Sequence, residues 1–395
     1  MTKNASRTGY STPAVFIAAC AGMFFFGVAM LSLGPILGQL NQLVEGANKL
    51  PATMSIGIFL GTILFGPVVD RFGYKWLLII GSVLELAGLQ GVANLGSIGA
   101  LHLSIFCLGL GGGILNGETN ALVSDLYDDS RRGGRLGLLG AFYCIGALVW
   151  VLMNYFISDY RIPLNILSAV MAGFIVYYCF LRFPEKQASE NVPATSMAGL
   201  LKSLPLILFA LVLFFESGFE GAQSNFTILY LVQEGGLTAA VATLAMTWFT
   251  VGMMGGRFLL GKMMERLGSL KTLYVYLSVA LAGVLMMFIR SSSPVPAYVS
   301  MVLIGFGVGA TFPVILNYIG GAFQGRSGSA ISIAIAIALI GQYTFNFLTG
   351  TLYDHGNYVS LPFLLSGAIL VMMVLVPVSV RASKRKTIKS LSNHE

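Results

Sequence analysis

Charge is what this chain has least of: of 395 residues only 10% are Asp, Glu, Lys or Arg, against 56% hydrophobic residues and a mean hydropathy of +0.82. So few charged groups exclude an ordinary water-soluble protein of this length and imply an integral membrane protein. Cysteine is also scarce. Cys20, Cys107, Cys144 and Cys179 all sit in apolar runs without metal-ligand spacing, which excludes a disulfide framework and makes them packing residues. With three histidines, no Ser-His-Asp set, no metal cluster and no phosphate-binding loop, neither an enzyme nor a cofactor or metal site is expected. The net charge of +7 could suggest nucleic acid. The basic residues, however, lie in loops and in the tail Arg381, Lys384, Arg385, Lys386, Lys389, as a bilayer requires, and no nucleic-acid motif accompanies them.

What the sequence does hold is apolar length. Runs long enough to cross a bilayer fall at 13–40, 51–70, 75–96, 101–124, 135–157, 163–182, 203–232, 238–261, 271–290, 296–320, 327–350 and 360–380, so twelve transmembrane helices are expected. The first and seventh runs exceed what a bilayer needs and are expected to protrude or tilt. The polar start, Met1 to Thr12, leads into a run too long for a signal-peptide core, which is read as a retained first span. Lys and Arg crowd alternate loops, leaving Lys49, Arg161 and Arg290 on the other side, so both termini are expected to be cytoplasmic in a multi-pass protein of the cell membrane. Residues 183–203, with Pro184, Glu185, Lys186 and Pro193, form the longest polar interruption. The expected domains are therefore an N-terminal six-helix bundle (1–182), a cytoplasmic linker (183–203) and a C-terminal six-helix bundle with a basic tail (204–395).

Between the second and third runs lies Gly66-Pro67-Val68-Val69-Asp70-Arg71-Phe72-Gly73-Tyr74-Lys75. Beginning 195 residues later, Gly261-Lys262-Met263-Met264-Glu265-Arg266-Leu267-Gly268-Ser269-Leu270-Lys271 repeats glycine, three residues, acid, arginine, any residue, glycine and a following lysine. A pattern matched twice at half the chain length signals an internal repeat. The first copy resembles the loop signature of the major facilitator superfamily of secondary transporters, G-x-x-x-D-R-x-G-x-K, at every fixed position. The second differs in Glu265 and in the shifted Lys271. The resemblance implies an all-α membrane fold of twelve helices in two pseudo-symmetric bundles, alternating access, and helices 1, 4, 7 and 10 lining a cavity. It also implies a gating role for Gly66, Asp70, Arg71, Gly73, Lys75, Glu265 and Arg266.

Ionisable groups inside spans are costly, so each is a candidate site. In the seventh run Glu216 and Glu220 share a helical face with Gln223 and Thr227. Two carboxylates so placed cannot both carry charge readily in a low dielectric, which suits a site that takes up and releases a proton. In the fourth run Asn116 and Asn120 share one face while Glu118 points away, toward the face of Asp125. Either the asparagines meet a polar substrate and Glu118 packs inside the first bundle, or the reverse. Glu85 is read as a structural partner in that bundle, Arg257 as serving the cytoplasmic end, and His102 as a solvated interface residue. Gln342 and Asn346, spaced i, i+4, join Tyr143 and Trp150 as candidate substrate contacts, the aromatics as rings that could stack on a sugar.

Within the superfamily the chain is similar to the fucose/glucose and galactose proton-symporter branch. The similarity lies in Leu115-Asn116-Gly117-Glu118-Thr119-Asn120-Ala121-Leu122-Val123, in Gly134 to Leu148, and in Gly218-Phe219-Glu220 with Tyr230-Leu231. That branch carries an aspartate in helix 1, which Phe16 to Leu40 lacks, and its helix 4 glutamate aligns on Asn116 when its asparagine is set on Asn120. The resemblance implies a monomeric secondary transporter of a small polar solute, a sugar, by proton symport, with Glu220, Glu216 and Glu118 as proton-coupling candidates. The alternative is a proton-driven exporter of amphipathic drugs or lipids. The G-P-x-x-G-G run of drug antiporters is missing from Gly140 to Val151, which favours uptake. Substrate identity, and proton against sodium, stay open at this level.

Overall fold

The structure, a computed structural model, describes residues 9–127, 129–184, 200–289, 293–323 and 327–392, with the side chains of 66–72, 124, 129–134, 136–137, 327–329 and 385–392 outside the description. Every regular element among the described residues is helical. Twelve helices are long and apolar enough to cross a membrane. Spans 1 to 6 are Thr12–Leu31, Ala47–Phe65, Gly73–Asn94, Ile98–Val123, Leu138–Phe156 and Arg161–Phe180. Spans 7 to 12 are Leu204–Gln233, Ala239–Leu267, Ser269–Met286, Val295–Ala322, Ala330–Asp354 and Ser360–Lys384. The chain divides into two compact units, Met1–Ser189 and Glu190–Glu395, each holding six spans. The expected linker falls largely on 185–199, outside the described residues.

Two expected helices turn out to be broken, and proline explains both. The first run does not continue to residue 40: span 1 stops at Leu31, and a separate helix, Leu37–Leu43, follows the turn containing Gly34 and Pro35. Proline offers no N–H and disfavours helical geometry in the residue before it. The long first run therefore turns aside instead of tilting. Span 10 consists of Val295–Val308 and Thr311–Ala322, interrupted at Gly309 and Ala310. Pro313 cannot bond the carbonyl of Gly309, four residues before it, and its ring crowds that carbonyl. The seventh run, by contrast, is one helix from Leu204 to Gln233.

The internal repeat is visible in the backbone. The last glycine of each loop motif adopts a positive φ, 74° at Gly73 and 76° at Gly268, a conformation that side chains resist and that reverses the chain between consecutive spans. Close helix contacts repeat as well, with small residues letting backbones touch. A Cβ at Gly88 would lie 2.7 Å from the Ser104 carbonyl oxygen, and one at Gly283 2.8 Å from that of Ser300. A Cβ at Gly146 would run into the Phe24 carbonyl, and one at Gly341 into that of Phe214. Spans 1 and 5 thus meet as spans 7 and 11 do.

This contact gives a direct test. Gly341→Ala should force spans 7 and 11 apart and cost about 1–3 kcal/mol, the usual penalty for an overpacked contact. Gly367 has nothing within 4 Å of a built Cβ, so Gly367→Ala serves as the control. Thermal unfolding in detergent should show only the first variant melting early; equal melting temperatures would refute the contact.

Candidate functional site

Span 7 begins at a proline-bearing first turn and carries polar side chains on two opposite faces. On one face, Glu216 is 2% exposed and accepts a hydrogen bond from Ser217 Oγ at 3.2 Å, while Glu220, one turn further, is half-buried. Arg257, on span 8, is exposed and lies within electrostatic reach of both carboxyls. It sits on span 8 where it can answer a charge on span 7. Further along this face Gln223 is fully buried: its Nε2 contacts Met301 Sδ at 3.1 Å, and its Oε1 has no hydrogen-bond partner. The Thr227 hydroxyl is likewise buried and unpartnered.

The opposite face meets span 11. Asn225 Nδ2 donates to the Gly221 carbonyl at 2.8 Å and to Asn346 Oδ1 at 3.3 Å, leaving Asn225 Oδ1 without a partner. Gly221 makes the room. A Cβ there would lie 2.7 Å from Gln342 Cγ and 2.9 Å from Asn346 Nδ2. Gln342 is 4% exposed and its Nε2 is unpartnered. Asn225 escaped the sequence reading because a stripe drawn from Glu216 in steps of four and three passes on the other side of the helix: nine residues turn it by about 180°. An asparagine inside an apolar run was the available signal. Gln342 and Asn346 are thus brought together with Asn225, and not with Gln223.

In the first unit, the two faces of span 4 part as the residue spacing requires. Asn120 Nδ2 donates to the Asn116 carbonyl at 2.8 Å and to Asn116 Oδ1 at 3.1 Å, and both residues are half-buried. Glu118 is fully buried on the other face with neither carboxyl oxygen hydrogen-bonded, and Glu85 of span 3, 1% exposed, is in the same condition. The Tyr178 hydroxyl of span 6 is within electrostatic reach of both and donates to the Ala18 carbonyl at 3.4 Å. Of the two arrangements open from sequence, this is the one with Glu118 inside the bundle. The positions 195 and 196 residues on from Glu85 and Glu118 are Ala280 and Val314, so the second unit has no equivalent acids there.

The aromatic candidates are packed. Tyr143 is 8% exposed with its ring 5.5 Å from that of Phe26, and Trp150 is fully enclosed in the first unit, so no indole face is open to a ligand in this structure. His102 is not simply solvated; it shares a 2.7 Å hydrogen bond with Thr53 Oγ1 of span 2. Among the gating candidates, the side chains of Gly66, Asp70 and Arg71 lie outside the described residues, and Glu265 and Arg266 are exposed. Lys75 Nζ donates to the Cys179 carbonyl at 2.6 Å, a cation on the closing turn of span 6, where the helix dipole favours it. Neighbouring Tyr74 donates to Asp125 Oδ2, joining the start of span 3 to the end of the span 4 helix.

Comparison with known proteins bears on the whole chain. The family model of the Major Facilitator Superfamily matches residues 14–229 and again 208–394. The glucose/mannose transporter GlcP of Bacillus subtilis (strain 168) is 24% identical over 389 residues, covering 92% of this chain and 94% of the relative. Among solved structures, the nucleoside transporter NupG aligns with a TM-score of 0.78 at 12% identity, over 93% of this chain and 98% of its own. The Escherichia coli fucose:proton symporter FucP aligns with a TM-score of 0.66 at 21% identity, over 93% and 99%.

Proposed function

We propose, on the premise that the chain belongs to the Major Facilitator Superfamily, that this multi-pass membrane transporter takes up a sugar together with protons. Membership makes it a transporter and not an enzyme. The observation that carries the sugar reading is the buried cluster of Asn225, Gln342 and Asn346, in which one amide oxygen and one amide NH2 are left without partners. Unmade hydrogen bonds at buried sites cost about 1–3 kcal/mol each. A ligand hydroxyl, donor and acceptor at once, satisfies both kinds of orphan, and a dye or lipid tail satisfies neither. The printed names of GlcP and FucP, a glucose/mannose transporter and a fucose:proton symporter, point the same way.

In this reading Glu220 takes the proton, Glu216 tunes it, and Gln223 extends the polar stripe. Asn116 and Asn120 offer further amides to a hydroxylated ligand, and Glu118 is the reserve proton site. Asp70, Arg71, Lys75 and their counterparts Glu265 and Arg266 bias the two access states from the cytoplasmic side, where both termini also lie. Uptake into proteoliposomes tests the whole: labelled hexoses, pentoses, amino acids and dyes are offered with and without an acid exterior. Sugar should accumulate only with the gradient, and a protonophore should collapse the accumulation. Gradient-driven extrusion of a dye, with no sugar uptake, would establish the exporter instead.

A further inference from the structure

We infer that Met301 of span 10 is a positioning residue that turns the oxygen end of the Gln223 amide toward the solute, so that Gln223 and Thr227 form a hydroxyl-selective subsite on the span 10 side of span 7. The contact is direct. Gln223 Nε2 lies 3.1 Å from Met301 Sδ, both residues are fully buried, and Gln223 Oε1 has no hydrogen-bond partner. A thioether accepts weakly and has no proton to give, so the nitrogen is the end of the amide that belongs beside it. The carbonyl oxygen is left to face elsewhere. One turn further along the helix, the Thr227 hydroxyl is also buried and unpartnered. Ser300, the neighbour of Met301, turns another way and donates to the Gly283 carbonyl at 2.7 Å.

Each polar atom left unpaired at a buried site costs about 1–3 kcal/mol, a cost that apolar side chains at 223 and 227 would not carry. What the arrangement offers in return is an acceptor of fixed direction beside a hydroxyl that can donate or accept. A solute O–H aimed at Oε1 is bonded, whereas an ether or a fluorine in the same place has no proton to donate. A site built to hydrogen-bond a hydroxyl rejects the analogue that lacks it more strongly than shape alone could. With hydrocarbon in place of the Met301 sulfur, the amide could turn either end outward and that selection would be lost. Gln223 and Thr227 are fully enclosed, so a solute reaches them only as spans 7 and 10 part. The amides of Asn225, Gln342 and Asn346 meet on the opposite face of span 7, toward span 11, so the two sets are separate contacts.

The inference rests on the sugar reading, and calorimetric titration of the purified full chain separates the two. The probes are D-glucose, D-mannose and L-fucose, each with the analogues in which one hydroxyl at a time is replaced by fluorine, which keeps the bulk and removes the proton. In the parent, two positions of the sugar that binds should each discriminate hydroxyl from fluorine by about tenfold, the worth of one hydrogen bond. Met301→Leu, a swap of similar volume, should bring one of those ratios close to unity and leave the other unchanged. Gln223→Leu should abolish the same ratio by weakening the hydroxyl sugar. Thr227→Val should abolish the other, and Thr227→Ser should keep it. A purely structural role for Met301 weakens sugar and analogue alike and leaves the ratio intact. If Met301→Leu does not fold, Met301→Ile takes its place. Parental ratios in the Met301 variant overturn the positioning role, and a parent that binds sugar without discriminating at any position overturns the subsite. A parent that binds none of the three sugars overturns the sugar reading itself, and this inference with it.

Discussion

Glu220→Gln will exchange substrate across the membrane at close to the parental rate and will fail to concentrate it. The glutamine copies the shape and hydrogen bonding of the protonated acid but has no proton to release. Binding and reorientation of the loaded carrier therefore persist, while the step that pays out the proton gradient is gone. The size of the effect follows from the driving force: a gradient of about one pH unit is worth about 1.4 kcal/mol, a tenfold concentration ratio for one proton per solute. The parent should approach that ratio and the variant should stay near unity. Glu220 is chosen over Glu216 because it is the less enclosed of the two, half-buried where Glu216 is 2% exposed and accepts from Ser217. Glu216→Gln should retain some accumulation. If Glu220→Gln accumulates substrate as well as the parent, the coupling site lies elsewhere, and Glu118 is next to be changed.

The architecture was legible because a bilayer imposes it. A span must be apolar for about 20 residues whatever its neighbours, so run lengths alone place twelve helices. The repeat was legible because a chain reversal at positive φ selects glycine locally, at Gly73 and Gly268 alike. What escaped depends on partners distant in sequence. Nothing around Arg257 announces that span 8 crosses span 10 at Gly309, and nothing around Asn225 announces Asn346, 121 residues away. The face of Glu118 could be deduced from the 3.6-residue period relative to the asparagines, yet which face turned inward waited on Tyr178 and Glu85 of spans 6 and 3. The break at Gly34-Pro35 is a different kind of miss. It is local, and the proline stood in plain view, but hydropathy does not register a missing N–H.

Asn346→Ala should weaken sugar binding by roughly 5- to 150-fold, the equivalent of about 1–3 kcal/mol for hydrogen bonds lost at a buried site. Asn346 is fully buried, its Oδ1 accepts from Asn225, and its Nδ2 faces Gly221 beside Gln342. Alanine removes an amide that can both donate and accept and frees Asn225 Nδ2 from one of its two acceptors. Asn225→Ala removes the other half of the same contact. Because the two residues share a hydrogen bond, their effects should not add: the double variant should lose clearly less than the sum of the single losses. A merely structural role predicts a different pattern, with lowered thermal stability in each variant and unchanged affinity in whatever fraction stays folded. Calorimetric titration with the sugar that proves to be accumulated, read beside the melting temperature of each variant, distinguishes the two. Parental affinity in both single variants would remove this cluster from the substrate site and return the choice to Asn116 and Asn120 of span 4.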